Sequence, residues 1–322
     1  MPSTSASVYT AEMGGEHNIQ VALTGCRNYG PAGLDAALEY LLETMGPRVA
    51  SGDKVLVKPN LVSARKGALA CSEPAFVSSL ASKFLDLGCS VSVADSPAFG
   101  TAAGVARKCG LDRALKPLGI EVLTLDNPAP IELSAGGCIG VSGDALEADL
   151  IVNAPRLKAH CQMRVTACVK NLFGCVAGMR KAVAHHRLGE RGNRFESMIM
   201  DVAAALPPVF SVLDAVTAMH VTGPSGGRPI DLGFLAAGDS VAVDTAVYGM
   251  LGLEPVEVAL WREARQRNLP QAFSKNLEFP LKQPADFRIP VFIIPQKLDP
   301  VSFNPWRLAT GAVKRLKERF CG

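Results

Sequence analysis

Three of the five histidines in this sequence and three of its lysines fall within residues 153–186. The histidines are His160, His185 and His186, and the lysines are Lys158, Lys170 and Lys181. An imidazole exchanges protons near neutral pH, and lysines that crowd together lower each other's pKa, which favours their use as a base or nucleophile. The segment therefore predicts acid/base chemistry on a small anionic substrate. His160 is the first candidate acid or base, and Lys170 is the candidate electrostatic or covalent anchor.

Polar residues also follow other apolar stretches that are expected to be strands, as at Lys58-Pro-Asn60 and Asp95-Ser96. Strand ends that meet at one sheet edge form a shared crevice, so we expect these residues to converge. Each has a structural alternative: Asp95 could cap a helix or form a turn, and Lys58 could be a solvated charge. The candidate catalytic residues are His160, Lys170, His186 and Asp95, and the candidate substrate- or cofactor-binding residues are Lys58, Asn60, Ser96, Asn153, Lys158, Asn171 and Asp214.

A divalent metal ion is a further candidate ligand, because carboxylates and imidazoles bind such ions. The candidate metal ligands are His185, His186 and Asp214. The nine cysteines include no CxxC pair, although Cys161, Cys168 and Cys175 recur every seven residues. This spacing lacks the tight loops of cluster sites, so small buried residues are favoured over a 4Fe-4S cluster. The identity of any cofactor stays open.

The elements that must position these residues alternate between strands and helices. Strands are predicted at 18–24, 54–57, 90–94, 120–125, 149–153, 210–215, 232–237 and 291–294. Helices are predicted at 32–45, 74–87, 102–118 (with a glycine interruption), 195–205 and 241–251. Alternation of this kind predicts an α/β fold with a mostly parallel, doubly wound sheet. Residues 16–322 would form one domain or two Rossmann-like lobes, 16–140 and 141–322, with the site in the crevice between them. Residues 1–15 are expected to be a flexible tail.

Composition excludes some classes of function. The net charge of +3 is too small to predict a nucleic-acid partner, and no apolar run approaches the roughly 20 residues of a membrane helix. The reduced-thiol pattern and the lack of a leader predict a cytoplasmic protein. Residues 305–320 have the pattern of a basic amphipathic helix, which could contact a membrane surface or an acidic partner but more commonly packs on its own protein. The oligomeric state stays open.

Five segments of the chain carry a family resemblance. VLVKPNLV, VADSPAFGTA, IVNAPRLKAH, VKNLFG and DAVTAMHVTGP, in this order, and later the stretch 238–244, resemble the domain of unknown function 362 family. Many members have an appended ferredoxin-like segment, whose closely spaced cysteines this chain lacks. The matching positions are Lys58, Asn60, Asp95, Ser96, Asn153, Lys158, His160, Lys170, Asn171, Gly174, Asp214 and Asp244, and the resemblance assigns no role to any of them.

The spacing of His160, Lys170 and His186 is similar to a second pattern, the array of nickel-pincer lactate racemases, in which the lysine binds the cofactor. That similarity implies a racemase-like isomerase. Three hypotheses follow for the chain: an enzyme that does acid/base or cofactor-assisted chemistry on a small anion, a racemase-like isomerase, or a non-catalytic accessory protein that binds a metal or cofactor. Proton transfer is favoured over redox chemistry, since the sequence has no dinucleotide fingerprint.

Overall fold

The computed structural model describes residues 18–62, 68–97, 100–189 and 191–301. The strands are β1 Ile19–Gly25, β2 Lys54–Pro59, β3 Ser90–Asp95, β4 Val122–Thr124, β5 Pro128–Glu132, β6 Cys138–Ser142, β7 Leu150–Ala154, β8 Arg156–His160, β9 Arg164–Thr166, β10 Val209–His220, β11 Arg228–Gly238 and β12 Leu277–Glu278. The helices are α1 Pro31–Met45, α2 Pro74–Asp86, α3 Ala102–Cys109, α4 Leu111–Leu115, α5 Gly143–Leu146, α6 Cys168–Leu172, α7 Arg180–Leu188, α8 Arg194–Ala205, α9 Ser240–Met250 and α10 Ala259–Gln266.

One ten-stranded sheet forms the centre of the fold, and β5 and β6 form a separate antiparallel pair. The order along the main sheet is β12-β1-β11-β10-β7-β2-β3-β4, with β8 beside β10 and β9 beside β8. Neighbours from β10 to β4 run parallel, whereas β11 is antiparallel to both β1 and β10. The predicted α/β class with a mostly parallel sheet is confirmed. Strands from before and after residue 140 share this sheet.

Helices cover both faces of the sheet because its central strands are apolar on both sides. Along β1, the side chains of Val21 and Leu23 join one buried cluster and that of Ala22 joins the other. The first cluster includes residues of α6, α8, α9 and α10, and the second includes residues of α1 to α4. Phe76 of α2 and Phe195 of α8 are almost fully buried in these layers, and each such side chain contributes about 1.5–3 kcal/mol.

Several predicted boundaries differ from the structure. The glycine interruption expected in the helix at 102–118 falls at Gly110, whose φ of 87° ends α3 in the left-handed conformation before α4 begins. The strand predicted at 291–294 is wrong, because the segment is irregular and lies between Pro290 and Pro295, which lack a backbone donor. Its backbone nevertheless contacts the body of the protein, since Val221 N donates to Ile293 O at 2.7 Å.

The larger difference concerns the histidine- and lysine-rich segment, which sequence reasoning placed in loops after a strand. The structure builds it from β8, β9, α6 and α7. Likewise, β10 continues to His220, so Asp214 lies inside a strand and not at its end. The expected tail at 1–15 and the expected basic helix at 305–320 both fall outside the described residues. No helix in the described ranges combines the length and the apolar character needed to cross a membrane.

Candidate functional site

A cavity of about 330 Å³ opens at the carboxyl ends of the central parallel strands. In the sheet, β3 and β4 follow β2 on one side, whereas the later strands β7 and β10 lie on its other side, so the strand order reverses direction at β2. Such a reversal of strand order leaves a crevice where open α/β sheets bind ligands. Of the predicted residues, Asn60, Asp95, Ser96, Lys158, His160, Lys170, Asn171 and His185 line the cavity. The structure therefore brings most of the predicted strand-end residues together.

Lys58 and Asp95 form an ion pair below the cavity. Lys58 Nζ lies 2.8 Å from Asp95 Oδ1 and also donates to Pro59 O at 3.2 Å, while Leu61 N donates to Asp95 Oδ2 at 2.7 Å. Lys58 is fully buried and Asp95 is 3% exposed. The partners of Asp95 are distant in sequence, so it joins β3 to the end of β2 and does not cap the following helix. The alternative of a solvated Lys58 is excluded by its burial.

A chain of amide side chains runs from the cavity into the sheet. Asn60 Nδ2 donates to Asn171 Oδ1 at 2.9 Å, Asn171 Nδ2 donates to Asn153 Oδ1 at 2.8 Å, and Asn153 Nδ2 donates to Ser211 Oγ at 2.9 Å. Asn153 is paired in register with Lys58 on the neighbouring strand. Because each amide is held by the next, the network fixes the rotamers of the residues around the cavity. Asn153 thus supports the lining without being part of it.

Strand β8 presents three basic side chains on one face. Arg156, Lys158 and His160 alternate with the fully buried Leu157 and Ala159, as the two-residue period of a strand requires. Lys158 Nζ donates to Ala70 O at 2.9 Å and to Asn60 Oδ1. All three basic residues line the cavity. Reading the segment as a loop concealed this alternation, which is why Arg156 was missed as a site residue.

Helix α6 places Lys170 and Asn171 at the cavity, and Asp244 fixes its first turn. Cys168 N and Val169 N donate to the two carboxylate oxygens of Asp244 at 2.7 and 3.1 Å. Tyr248 Oη donates to the same carboxylate at 3.2 Å. Burial raises the pKa of Asp244 to about 7, and the amide hydrogen bonds oppose that change by favouring the carboxylate. Asp244 is therefore a positioning residue for Lys170.

We expect Asp244→Asn to lower the free energy of unfolding by about 1–3 kcal/mol, because an amide offers a weaker acceptor to the two buried N–H groups. Urea denaturation at pH 8 measures the change. Asp231→Asn is the matched control, since Asp231 is exposed and accepts one hydrogen bond from Thr217 Oγ1. It should change stability by no more than about 0.5 kcal/mol. Equal effects of the two substitutions would contradict the positioning role of Asp244.

The three lysines that line the cavity have lowered pKa values. Burial lowers the pKa of Lys170 to about 7, helped by the charges of Lys158, Lys181 and Lys58. Burial likewise lowers the pKa of Lys158 and of Lys181 to about 8. Near pH 7, a large fraction of Lys170 is therefore a neutral amine. Its Nζ lies 4.5 Å from the centre of the Phe173 ring.

Lys181, from α7, closes one side of the cavity. Its Nζ donates to the backbone oxygen of Ser96, and Ser96 Oγ accepts a hydrogen bond from Gly178 N at 3.2 Å. Ser96 therefore links the end of β3 to the start of α7. The sequence alone does not predict a site role for Lys181, because its place on a helix facing the cavity depends on tertiary packing.

The two adjacent histidines of α7 have different surroundings. His185 lines the cavity, its ring centre lies 4.4 Å from that of Phe195, and its Nδ1 lies 3.1 Å from Val301 O. Burial lowers the pKa of His185 to about 3, helped by the charge of Lys170, so the ring is neutral near pH 7. His186 is exposed on the same helix, because consecutive helical residues point about 100° apart.

Asp214, the third candidate metal ligand, belongs to a different cluster. Its carboxylate accepts from Tyr29 Oη at 2.8 Å and from Arg156 Nε at 3.3 Å, and Arg156 also pairs with Glu73 at 2.7 Å. Asp214 therefore neutralises Arg156 beneath β8. In the ranges that the structure describes, no group of three or more His, Cys, Asp or Glu side chains is arranged to hold a metal ion.

The cysteines beside the site are held as thiols. Cys168 and Cys175 are fully buried, and burial raises the pKa of both.

Comparisons with known proteins place the chain among relatives. A family model described as a domain of unknown function (DUF362) matches residues 55–249, which confirms the resemblance seen in the five sequence segments. A protein of Synechocystis sp. described as thylakoid-associated is 34% identical over 306 residues, covering 93% of this chain and 95% of the relative.

Two solved structures also resemble the chain. The lactate racemase apoprotein from Thermoanaerobacterium thermosaccharolyticum has a TM-score of 0.43 and 14% identity, with 71% of this chain and 56% of that chain covered. A protein from Thermotoga maritima has a TM-score of 0.39 and 12% identity, with 64% of this chain and 55% of that chain covered. The chain thus spans slightly more than half of each solved chain.

Proposed function

We propose that this chain, which belongs to the domain of unknown function 362 family, is an enzyme that binds a small organic anion in the cavity and transfers a proton to or from it. The observation that carries the proposal is the charge of the lining. Lys158, Lys170 and Lys181 line the cavity, beside Arg156, whose charge is balanced by Asp214 and Glu73. Asp95 is the one carboxylate among the described lining residues, and it is already paired with Lys58.

A bound anion would offset the free-energy cost of burying the positive charges that line the cavity. Two unit charges 4 Å apart attract by roughly 4 kcal/mol at an effective dielectric constant of 20. Without such an anion, burial makes the charged amines of Lys158 and Lys181 unfavourable, which lowers the pKa of both. A bound carboxylate or phosphate would restore their charge. The cavity volume of about 330 Å³ suits a small molecule.

Groups that can move a proton line the same cavity. Lys170 has a pKa of about 7, where a general base is most effective at physiological pH. His185 is neutral, and His160 Nδ1 accepts a hydrogen bond from Gln162 N at 3.1 Å, which places the ring proton of the neutral form on Nε2. Proton transfer at a carbon beside a carboxylate, as in isomerisation or racemisation, fits these groups. An accessory binding protein would share the anion site and lack turnover.

Isothermal titration calorimetry with oxalate tests the anion site. Lys158→Met and Lys181→Met should each weaken oxalate binding by about 10- to 150-fold, since a hydrogen bond to a charged group is worth about 1.5–3 kcal/mol. Lys275→Met is the control, because Lys275 is exposed and away from the cavity lining. If both cavity variants bind oxalate as tightly as the wild type, the proposed function is wrong.

Oxalate affinity should also fall as the pH rises from 7 to 9. The anion binds the ammonium forms of Lys158 and Lys181, and those forms are lost as the pH passes about 8, the pKa of both lysines. Each linked proton changes affinity by up to about tenfold per pH unit. Titrations in buffers of different ionisation enthalpy should show proton uptake on binding at pH 8. An affinity independent of pH would contradict the assignment of these lysines to the anion.

The place where the protein works in the cell stays a prediction. Cytoplasmic placement was expected from the sequence, whereas the relative from Synechocystis sp. is described as thylakoid-associated. Fractionation of cells that express the full chain, followed by immunoblotting of the soluble and membrane fractions, distinguishes cytoplasmic from membrane-associated protein.

A further inference from the structure

We infer that Lys170 is a nucleophile whose amine forms an imine with a carbonyl group of the substrate. The substrate class is then a small 2-oxo acid, or an aldehyde that carries an acid group. This inference rests on the proposed anion site and deepens it, because the other lysines would hold the acid group while Lys170 reacts with the carbonyl carbon.

The four lysines around the site differ in what holds their amines. Lys58 pairs with Asp95, Lys158 donates to Ala70 O and Asn60 Oδ1, and Lys181 donates to Ser96 O. These oxygen acceptors bind the ammonium forms. Among the described residues, Lys170 has no hydrogen-bond or ion-pair partner; its amine lies over the Phe173 ring at 4.5 Å, a cation–π contact that holds an ammonium less strongly than these oxygen acceptors do. Lys170 is therefore the lysine whose lone pair is most readily available for bond formation.

The lysine is also held in place without an acceptor on its nitrogen. Asp244 fixes the start of α6 through Cys168 N. The Phe173 ring that the amine approaches is itself packed edge-on against Phe195, with ring centres 5.5 Å apart, and against His185 at 5.7 Å. A nucleophile placed by rigid neighbours needs little reorganisation before it reacts.

The reaction requires no oxidant or metal. The neutral amine attacks the carbonyl carbon, a C–N bond forms, and the π electron pair moves to the oxygen; one proton then passes from nitrogen to oxygen to give a neutral carbinolamine. A proton donated to the hydroxyl lets it leave as water while the nitrogen lone pair forms the protonated imine, and loss of the remaining nitrogen proton gives the neutral imine. His160 and the neutral His185 both line this cavity and are the candidate donor and acceptor of the protons in these steps. The protonated imine draws electrons from the adjacent carbon, so it would also promote the proposed proton transfer there.

Reductive trapping of the full-length protein with glyoxylate and sodium cyanoborohydride tests the inference. Intact-mass and peptide analysis should find one reduced adduct per chain, on Lys170. At pH 7 its labelling should be about 1,000-fold faster than that of a surface lysine, because a pKa of about 7 leaves about half of Lys170 as neutral amine. The labelling rate should rise with pH through this value and then level off.

Two variants distinguish the possible results. Lys170→Arg should lose the adduct, because a guanidinium is not nucleophilic, and Lys275→Arg should keep the adduct on Lys170. Oxalate binding by the wild type with no preferential adduct on Lys170 overturns the inference alone. An adduct that persists in Lys170→Arg at the wild-type rate also overturns it. Absence of oxalate binding in the wild type overturns the proposed function instead.

Discussion

Replacing Lys58 with methionine is expected to lower the free energy of unfolding by about 3–5 kcal/mol, which is the range for removing one partner of a buried ion pair. Lys58 is fully buried, and Asp95 is only 3% exposed. Without the ammonium group, the carboxylate of Asp95 would keep, among the described residues, the hydrogen bond from Leu61 N at 2.7 Å. Guanidinium denaturation at pH 7, followed by circular dichroism, measures the loss.

The same strand provides the control. Lys54 begins β2 and is exposed, so Lys54→Met should change stability by no more than about 0.5 kcal/mol. The double variant Lys58→Met with Asp95→Asn should be less destabilised than the sum of the single variants, because neither charge is then left alone. If Lys58→Met is as mild as Lys54→Met, the ion pair does not stabilise the floor of the site.

The convergence of Lys58, Asp95 and Asn153 was predictable from sequence for a simple physical reason. Each ends or follows an apolar strand, and parallel strands bring their carboxyl ends to one edge of the sheet. The strand order makes these three residues neighbours, since β2 lies between β7 and β3. Local pattern and sheet geometry therefore suffice to group these residues, although not to tell that Lys58 is buried beneath the cavity.

Other parts of the site depend on tertiary contacts that no local pattern encodes. Asp214 reads as a strand-end carboxylate, but β10 continues past it and Arg156 and Tyr29 occupy its oxygens. The contrast between His185 and His186 depends on which face of α7 packs against Phe195. A helix pattern gives the angle between two such residues, whereas the neighbouring elements decide which one is buried.

The alternation of Arg156, Lys158 and His160 is a different case, because the signal was present in the sequence. Polar residues at every second position are typical of a strand, but buried strands of α/β sheets are usually apolar on both faces. A basic face is acceptable here because carbonyl oxygens, Asp214 and Glu73 bind the charged groups. A strand with one basic, buried face therefore indicates a site, because burying these charges costs free energy and does not contribute to an apolar core.

Gly174→Ala is the second change from which we expect a large effect, a loss of about 2–4 kcal/mol in the free energy of unfolding. A β-carbon at this position would overlap Asp95 Oδ1 and Lys58 Nζ, and it would lie 2.9 Å from Lys58 Cε. These atoms belong to a buried pair and cannot move into solvent. The ion pair would have to separate, or the turn that follows α6 would have to shift and carry Lys170 with it. Denaturation and oxalate titration together measure both consequences.

A second glycine makes the comparison specific. A β-carbon on Gly249, in α9, would meet no atom within 4 Å, so Gly249→Ala should leave stability unchanged or raise it by up to about 1 kcal/mol. Combining Gly174→Ala with Lys58→Met should cost less than the sum of the two, because the methionine side chain lacks the amine that the new methyl group would overlap. If the two losses are fully additive, or if Gly174→Ala is as stable as the wild type, then contact with the ion pair is not the reason that this position requires glycine.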